Sequence, residues 1–485
     1  MAKRHEFTFS EDLNDFSTRF FGEESEKFVS CLSKKIRTKI RMNTLKMDAA
    51  KTVERIEKLD VKLTPIEFNP IAFEYSPDTF YPGRTLQHHL GHYYLQDLSS
   101  MLPAIILDPK PGEKVLDMAA APGSKTTQLA QMMNNAGTLI ANDVDFGRLS
   151  NLAFNLDRMG ILNTMLTNKD GALFGQILPE YFDKILLDAP CSALGVLGNK
   201  NEVTLWWNYQ KVNKMIHIQS QLLVSAIKSL KVGGEMVYST CTLTPHENEW
   251  MIDEILKNYP VEIVAFDPPK GLVYRDGVIT SFDRTVDESL KFSKRLYPFE
   301  NDAQGFFLCK LRKTDSTFEK QKDRKHNNSK KPNIAQIMKT NDPVYKTIHE
   351  RFETYFGIPR SHFEKNQLVN SGDIWMVSPD FDVSVLDLGF RQGLRFVRPM
   401  HSDRYRVTTD IIQLFGQHFT DNRIYLETET QMEKFIGGEN LTLSSEIHGQ
   451  KAVFFDNQAL GSGLGQGTML KSQIPRAKRM ITEEE

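Results

Sequence analysis

Apolar positions follow two different periods along this chain. Between Pro111 and Leu311, short apolar runs at 114–118, 138–142, 164–167, 183–187, 235–239 and 306–311 alternate with helix-length amphipathic segments. Runs of that length, bounded by turn residues and separated by helical periods, predict a doubly wound α/β sheet. Upstream, helical stretches such as 24–35 precede the extended 40–45, which predicts a small mixed α+β domain. Downstream, 313–333 is polar and lysine-rich, with Phe318 as its one aromatic, and reads as a flexible basic linker. Residues 334–356 carry a helical period. From about Trp375 short strand-like pieces such as 451–455 are separated by Gly and Asn turns, so a small β-rich unit is expected there. The expected division is 1–100, 101–312, 313–333 and 334–485. No internal repeat is visible.

The length of 485 residues accommodates several domains with substantial cores, and 40% hydrophobic with 25% charged residues is an ordinary globular composition. It excludes a mostly disordered or collagen-like chain. The opening residues lack an apolar signal-peptide core, and no apolar run approaches the roughly 20 residues of a membrane helix. A cytoplasmic protein without a membrane partner is expected. The four cysteines form no Cys-x-x-Cys pair, so neither a disulfide framework nor a zinc site is expected, and no metal is invoked. A net charge of −2 argues against binding nucleic acid over the whole surface while permitting local basic patches.

The chemistry concentrates at the ends of the apolar runs. After the first run, Ala119, Ala120, Ala121, Pro122, Gly123, Ser124 and Lys125 form a turn of mostly small residues leading into a helix expected over 126–133. Such a turn lets backbone N–H groups and a helix N-terminus approach a ligand. Ala119 stands where a phosphate loop requires glycine and Ser124 precedes Lys125, so a P-loop is not expected; Gly-x-Gly-x-x-Gly is absent too. Asp143 closes the second run, at about the separation from Asp117 at which an acid takes ribose hydroxyls, and Asp170 closes the third, where it could meet the amine of adenine. Taken singly, each is as readily a turn or helix-cap carboxylate. Their common place at strand ends favours an adenosine ligand without a phosphate chain.

Cys191, in Asp188-Ala189-Pro190-Cys191, and Cys241, in Thr240-Cys241-Thr242, follow the next two runs and should lie at the carboxyl ends of neighbouring strands. Cys31 and Cys309 sit inside regular patterns and read as small hydrophobes. Two thiols, an aspartate and an adenosine ligand point to methylation of a pyrimidine ring carbon from S-adenosylmethionine. Carbon 5 of cytosine is a poor nucleophile until a thiolate adds to carbon 6. That addition needs an acid at ring nitrogen 3, for which Asp188 is the candidate. The thiolate needs a cationic neighbour, which Lys125 could supply. A base must then take the carbon 5 proton, and a second thiol can assist release. These residues alone leave open which cysteine attacks.

At these positions the sequence resembles the Nop/Sun family of RNA (cytosine-5)-methyltransferases. The resemblance rests on 182–193, on Pro190-Cys191 with Thr240-Cys241-Thr242, on 120–126, and on Arg41-Met42-Asn43-Thr44-Leu45 and 94–100, and covers about residues 30–311. It implies a Rossmann-like methyltransferase domain in which Cys241 is the nucleophile, Cys191 promotes release and Asp188 contacts the cytosine. It also implies that Ala119 to Lys125, Asp143, Asp170 and Asp188 line the S-adenosylmethionine site. DNA cytosine methyltransferases use the Pro-Cys cysteine instead, which here is Cys191. Ala119 and Ser124 depart from the Cys-Ala-Ala-Pro-Gly-Gly-Lys form of many members. Residues 453–461 and 470–476 look like the PUA-like C-terminal domain of the bacterial ribosomal RNA small subunit methyltransferase F group, and with it Lys471, Arg476, Lys478 and Arg479 would make an RNA clamp.

Remaining signals read as structural. His88, His89 and His92 lack a metal-like partner and read as exposed or RNA-facing. Trp206 and Trp207 could stack on an extruded base, although packing explains them more simply. His246 and Glu247 read as helix-capping residues. The implied activity is cytosine-5 methylation of small-subunit (16S) ribosomal RNA, with ribosomal RNA or the small subunit as partner and no obligate protein partner evident. Rivals are a transfer RNA methyltransferase of the same chemistry and a non-catalytic ribosome assembly factor.

Overall fold

The computed structural model describes residues 10–31, 36–199, 207–318, 335–400 and 404–480. Strands β1 (Lys39–Met42), β2 (Lys62–Ile66), β3 (Asn69–Ser76) and β4 (Tyr93–Gln96) form an antiparallel sheet in the order β2-β3-β1-β4. Preceding it, helices Glu11–Phe21 and Ser25–Cys31 are joined by a short 3-10 turn, Gly22–Glu24. The helical stretch expected over 24–35 is therefore confined to Ser25–Cys31 in its described part; 32–35 lie outside the described residues.

The central sheet is built on five parallel strands: β5 (Lys114–Asp117), β6 (Thr138–Asn142), β7 (Thr164–Thr167), β8 (Phe182–Asp188) and β9 (Leu230–Thr240), in the order β9-β8-β5-β6-β7. Each coincides with one of the expected apolar runs, β5 ending at Asp117, one residue short of the run 114–118. Leu116, Ile140, Ile185 and Met236 are fully buried, each contributing about 1.5–3 kcal/mol of burial free energy. The chain runs outward from β5 through β6 to β7, then crosses back to β8. The reversal puts a crevice at the carboxyl ends of β5 and β8, the place where open α/β sheets bind ligands. Phe306–Lys313 adds antiparallel to β9. Lys313, expected to open the linker, is the last residue of that strand; it is buried and donates to Glu180 Oε1 at 2.9 Å and Leu230 O at 3.0 Å. Residues 319–334, the bulk of the expected linker, lie outside the described residues.

The C-terminal region contains a five-stranded antiparallel sheet, from Gln336–Ile337 to Arg404–Val407, and a three-stranded one dominated by the hairpin Asn440–Phe455 with Gln458–Ser472. The helix expected from 334 begins at Pro343, capped by Asp342, because Gln336–Ile337 is drawn into the first of these sheets. The region is seated on the central sheet. Arg391–Gln392 pairs antiparallel with β7, and Val369, Trp375, Val377 and Phe381 share a core with Met165 and Phe182.

Candidate active site

β8 and β9 run parallel with Asp188 opposite Ser239, so the two loops carrying the cysteines leave the sheet side by side. The Cys191 and Cys241 sulfurs lie 3.2 Å apart, both half-buried. The hydrogen bond with Cys241, then burial, then the nearby Cys241 and Glu247 charges hold Cys191 well above the ordinary thiol range. Cys191 therefore stays protonated, and its S–H is free to donate to the Cys241 sulfur. Beside the pair, Asp188 accepts from Ser239 Oγ at 2.8 Å and from Lys125 Nζ at 2.7 Å. Lys125 also donates to Ser100 Oγ at 2.8 Å. Burial alone would lower the lysine, but Asp188, with Asp117 and Cys241, outweighs it and holds the ammonium above its ordinary value.

A buried polar staple holds the two loops in register. Glu247 accepts from Ser192 N–H at 2.8 Å, Gln219 Nε2 at 3.0 Å, Thr244 Oγ1 at 2.8 Å and the Ser192 hydroxyl. Ser192 Oγ also lies 2.9 Å from Thr242 Oγ1, joining the two loops directly. Burial raises the Glu247 carboxyl despite these bonds. Beneath the loops, Gly195 N–H donates to Cys241 O at 2.8 Å, and a Cβ at Gly195 would meet Gly305 O at 2.2 Å, so only glycine fits. The fully buried Arg295–Glu249 ion pair supports the same loop, Arg295 donating to Leu243 O at 2.9 Å.

The small-residue turn meets this site from the β5 side. Ala120 N–H donates to Asn142 O at 2.7 Å and Ala121 N–H to Asp143 Oδ2 at 3.1 Å, tying the turn to the end of β6. Gly123, at φ 107°, turns the chain into helix Ser124–Met132; a Cβ there would stand 2.7 Å from Leu152 Cδ1. Asp143 is buried and its other oxygen accepts from Asp145 N–H at 3.0 Å. Asp170 is exposed and caps the 3-10 turn Gly171–Leu173 through Ala172 N–H at 3.0 Å, the capping role that its position alone also allowed. Asp117 is fully buried. Thr126 Oγ1 donates to its Oδ2 at 2.7 Å, while Oδ1 has no hydrogen-bond partner among the described residues. Burial pushes this carboxyl up to about 7. The turn, the orphaned Asp117 oxygen and the carboxylates at the ends of β6 and β7 fit a cationic adenosine ligand.

Comparison with known proteins agrees with this geometry. The family described as 16S rRNA methyltransferase RsmB/F matches residues 104–312, and the N-terminal domain of 16S rRNA methyltransferase RsmF matches 11–98. A ribosomal RNA small subunit methyltransferase F from Vibrio cholerae serotype O1 is 30% identical over 454 residues, covering 93% of this chain and 92% of its own. The chain belongs to the ribosomal RNA small subunit methyltransferase F family. It is accordingly an S-adenosylmethionine-dependent RNA methyltransferase. A tRNA (cytosine(49)-C(5))-methyltransferase of Pyrococcus abyssi is 40% identical over 293 residues, 60% of this chain and 93% of its own. Among solved structures, a methyltransferase homologue from Pyrococcus horikoshii aligns at TM-score 0.57 and 35% identity, covering 63% of this chain and 96% of its own. NSun6 from the same organism, solved with SFG, aligns at TM-score 0.55 and 25% identity, covering 64% of this chain and 100% of its own.

In this member of the methyltransferase F family, the N-terminal motif is a fastening. Arg41 is fully buried and donates to Gln96 Oε1 at 2.8 Å, Thr127 Oγ1 at 2.8 Å, Ser124 O at 3.3 Å and Gln131, clamping β1 to the first turns of helix Ser124–Met132. Asn43 Nδ2 donates to Gly91 O at 2.8 Å and Met159 O at 2.9 Å. Several sequence readings are corrected. His88, His89 and His92 are not exposed; burial lowers their pKa values to about 3, 4 and 3. For Trp207 the simpler reading, packing, is the one observed: it is fully buried against Phe16, 5.4 Å between ring centres; Trp206 lies outside the described residues. His246 packs its ring 4.1 Å from Trp250, and Asn248 stands at the helix N-cap, so neither His246 nor Glu247 caps it. Lys478 is turned inward to Asp157 at 3.0 Å and to Asp410, away from a phosphate-binding role. Cys309 is buried and Cys31 packs at the edge of the N-terminal aromatic cluster. Among the described residues no metal-binding cluster occurs and no helix is long and apolar enough to cross a membrane.

Proposed function

We propose that this protein methylates carbon 5 of cytosine in small-subunit ribosomal RNA, with Cys241 as nucleophile. The observation that carries the reading is the 3.2 Å pair of thiols beside the Lys125–Asp188 ion pair. Cys191 is the thiol held protonated, and its S–H lies within hydrogen-bond reach of the Cys241 sulfur. Lys125 is buried beside Cys241, and a cation there favours the thiolate that the attack requires. The Cys241 thiolate adds to carbon 6 of the ring while Asp188, oriented by the Lys125 ammonium and the Ser239 hydroxyl, contacts nitrogen 3 and shares the proton taken up there. When bound, S-adenosylmethionine supplies the methyl group; Ala119 to Lys125, Asp117, Asp143, Asp170 and Asp188 would hold it. A water molecule takes the carbon 5 proton, the carbon 6–sulfur bond breaks with Cys241 leaving as thiolate, and the nitrogen 3 proton returns to Asp188; Cys191, 3.2 Å from the departing sulfur, assists that release.

The ribosomal substrate is supported by family membership over nearly the whole chain, whereas the transfer RNA enzyme resembles 60% of it. Residues 1–100 and the β-rich C-terminal region, read as PUA-like, serve as RNA-contacting parts flanking residues 101–312, and the expected setting is the cytoplasm. The test is incubation with methyl-labelled S-adenosylmethionine and small subunits, naked ribosomal RNA or transfer RNA, followed by nucleoside mass spectrometry. Labelled 5-methylcytidine in ribosomal material, abolished by Cys241→Ser, is the expected result. Label confined to transfer RNA, or normal turnover by Cys241→Ser, would overturn the substrate or the nucleophile respectively.

A further inference from the structure

Arg398 and Arg406 stand directly opposite each other on the antiparallel strands Leu394–Met400 and Arg404–Val407. Like charges in that register repel, and a fold keeps such a pair only where something else requires it. Both side chains are half-buried, and neither has a hydrogen-bond or ion-pair partner among the described residues. They line a cavity of about 250 Å³ with Arg395, Thr408, Ser462, Gln473 and Lys478. The other cations there are committed. Arg395 is ion-paired with Asp373, Nε to Oδ2 2.7 Å, and lies over the Trp375 ring, and Lys478 is held by Asp157 and Asp410. Asp373 acts on Arg406 electrostatically, but burial and Arg398 prevail and lower the Arg406 pKa, as expected of a guanidinium short of anions. Among the described residues the cavity lining thus sets four cations, Arg395, Arg398, Arg406 and Lys478, against two carboxylates, Asp157 and Asp410.

We propose that this cavity, where the C-terminal region is seated on the methyltransferase domain, is a phosphate site for the RNA backbone, with Arg398 and Arg406 as its two ligands. A phosphodiester placed between opposed guanidiniums relieves their repulsion and accepts forked hydrogen bonds from both. The site gives no base specificity; it sets the orientation of the RNA against the domain carrying the cysteines. The assignment rests on the RNA substrate proposed above.

The test compares the full-length protein with Arg398→Gln, Arg406→Gln and the double variant. For the double variant the expected result is an RNA KM and Kd raised about tenfold or more, with a salt slope shallower by about 0.7 for each phosphate no longer neutralised. The expected kcat and S-adenosylmethionine affinity are unchanged, and the melting temperature is unchanged or higher because repulsion has been removed. Wild-type KM and salt slope in the double variant would overturn the site, as would a lower melting temperature together with a fallen kcat, which marks a structural role. Tight binding of inorganic phosphate to the wild type that leaves RNA binding unaffected would overturn the RNA assignment in favour of a free anion. RNA binding is read without turnover, so a wild-type protein that binds RNA through these arginines but transfers no methyl group would refute the catalytic reading and leave the phosphate site standing.

Discussion

Replacing Asp117 by asparagine removes a charge that the fold disfavours. Burial of the carboxyl raises its pKa from 3.8 to about 7, the Thr126 hydroxyl and Lys125 offsetting only part of the effect. At about 1.36 kcal/mol per pH unit this corresponds to about 4 kcal/mol against the ionised form. Because the folded state holds the proton more tightly than the unfolded one, the contribution to stability is full below about pH 4. It is lost as pH rises and is gone above about pH 7. Asparagine keeps an oxygen for Thr126 and does not titrate, so Asp117→Asn should match wild type near pH 4 and exceed it above pH 7 by up to about 4 kcal/mol. Thermal melting of both proteins from pH 4 to 8.5 reads this difference, in which other titrating carboxyls largely cancel. The same substitution should weaken S-adenosylmethionine binding at pH 8 by about 10- to 100-fold, because a cationic ligand loses a buried partner charge. A stability difference independent of pH would refute the burial argument, and unchanged ligand affinity would remove Asp117 from the binding site.

Three further substitutions test the site. Cys191→Ala should retain addition to the ring but slow release, so a covalent RNA adduct should accumulate on denaturing gels; no adduct under turnover conditions would count against the release role. Glu247→Gln presents an amide to donors that now share a carboxylate, costing about 1–3 kcal/mol. Its kcat should fall about 10- to 100-fold through misplacement of the cysteine loops, seen in single-turnover assays at saturating RNA and methyl donor. Arg41→Ala leaves acceptors at Gln96, Gln131, Thr127 and Ser124 without their buried cation, so stability should drop by about 3–5 kcal/mol. Weaker S-adenosylmethionine binding should accompany that loss in calorimetry, since the clamped helix begins at the turn proposed to hold the methyl donor.

What could be read from the sequence was whatever a local period or strand-end position encodes. The six apolar runs are strands, and the residues just beyond four of them, Lys125, Asp143, Asp188 with Cys191, and Cys241, converge because parallel strands end on one side of the sheet. The 3.2 Å approach of the sulfurs follows from the β8–β9 register, which no spacing along the chain reveals. Glu247 lay six residues past Cys241 and read as a cap because its partners, Ser192 and Gln219, are distant in sequence. The edge strand Arg391–Gln392 is two residues long, too short to carry a period, so the seating of the C-terminal region on β7 was illegible. The histidines misled for a related reason: polarity suggested exposure, while burial is decided by tertiary packing.

The buried polar groups share one physical logic. Asp117, Glu247, Arg41 and the Arg295–Glu249 pair all sit within or behind the crevice at the ends of β5, β8 and β9, and each is a group that a stability-optimised core would replace with hydrocarbon. Three of these systems hold backbone: Glu247 and Arg295 fasten the loops bearing Cys191 and Cys241, and Arg41 fastens the helix that presents Lys125. The exception is Asp117, whose second oxygen is left unpaired among the described residues. A group whose purpose is to hold structure finds partners for all its lone pairs; one kept for a ligand retains an open valence. By that criterion the structural and ligand-facing members of the crevice separate, and Asp117→Asn should stabilise the fold while the other substitutions destabilise it.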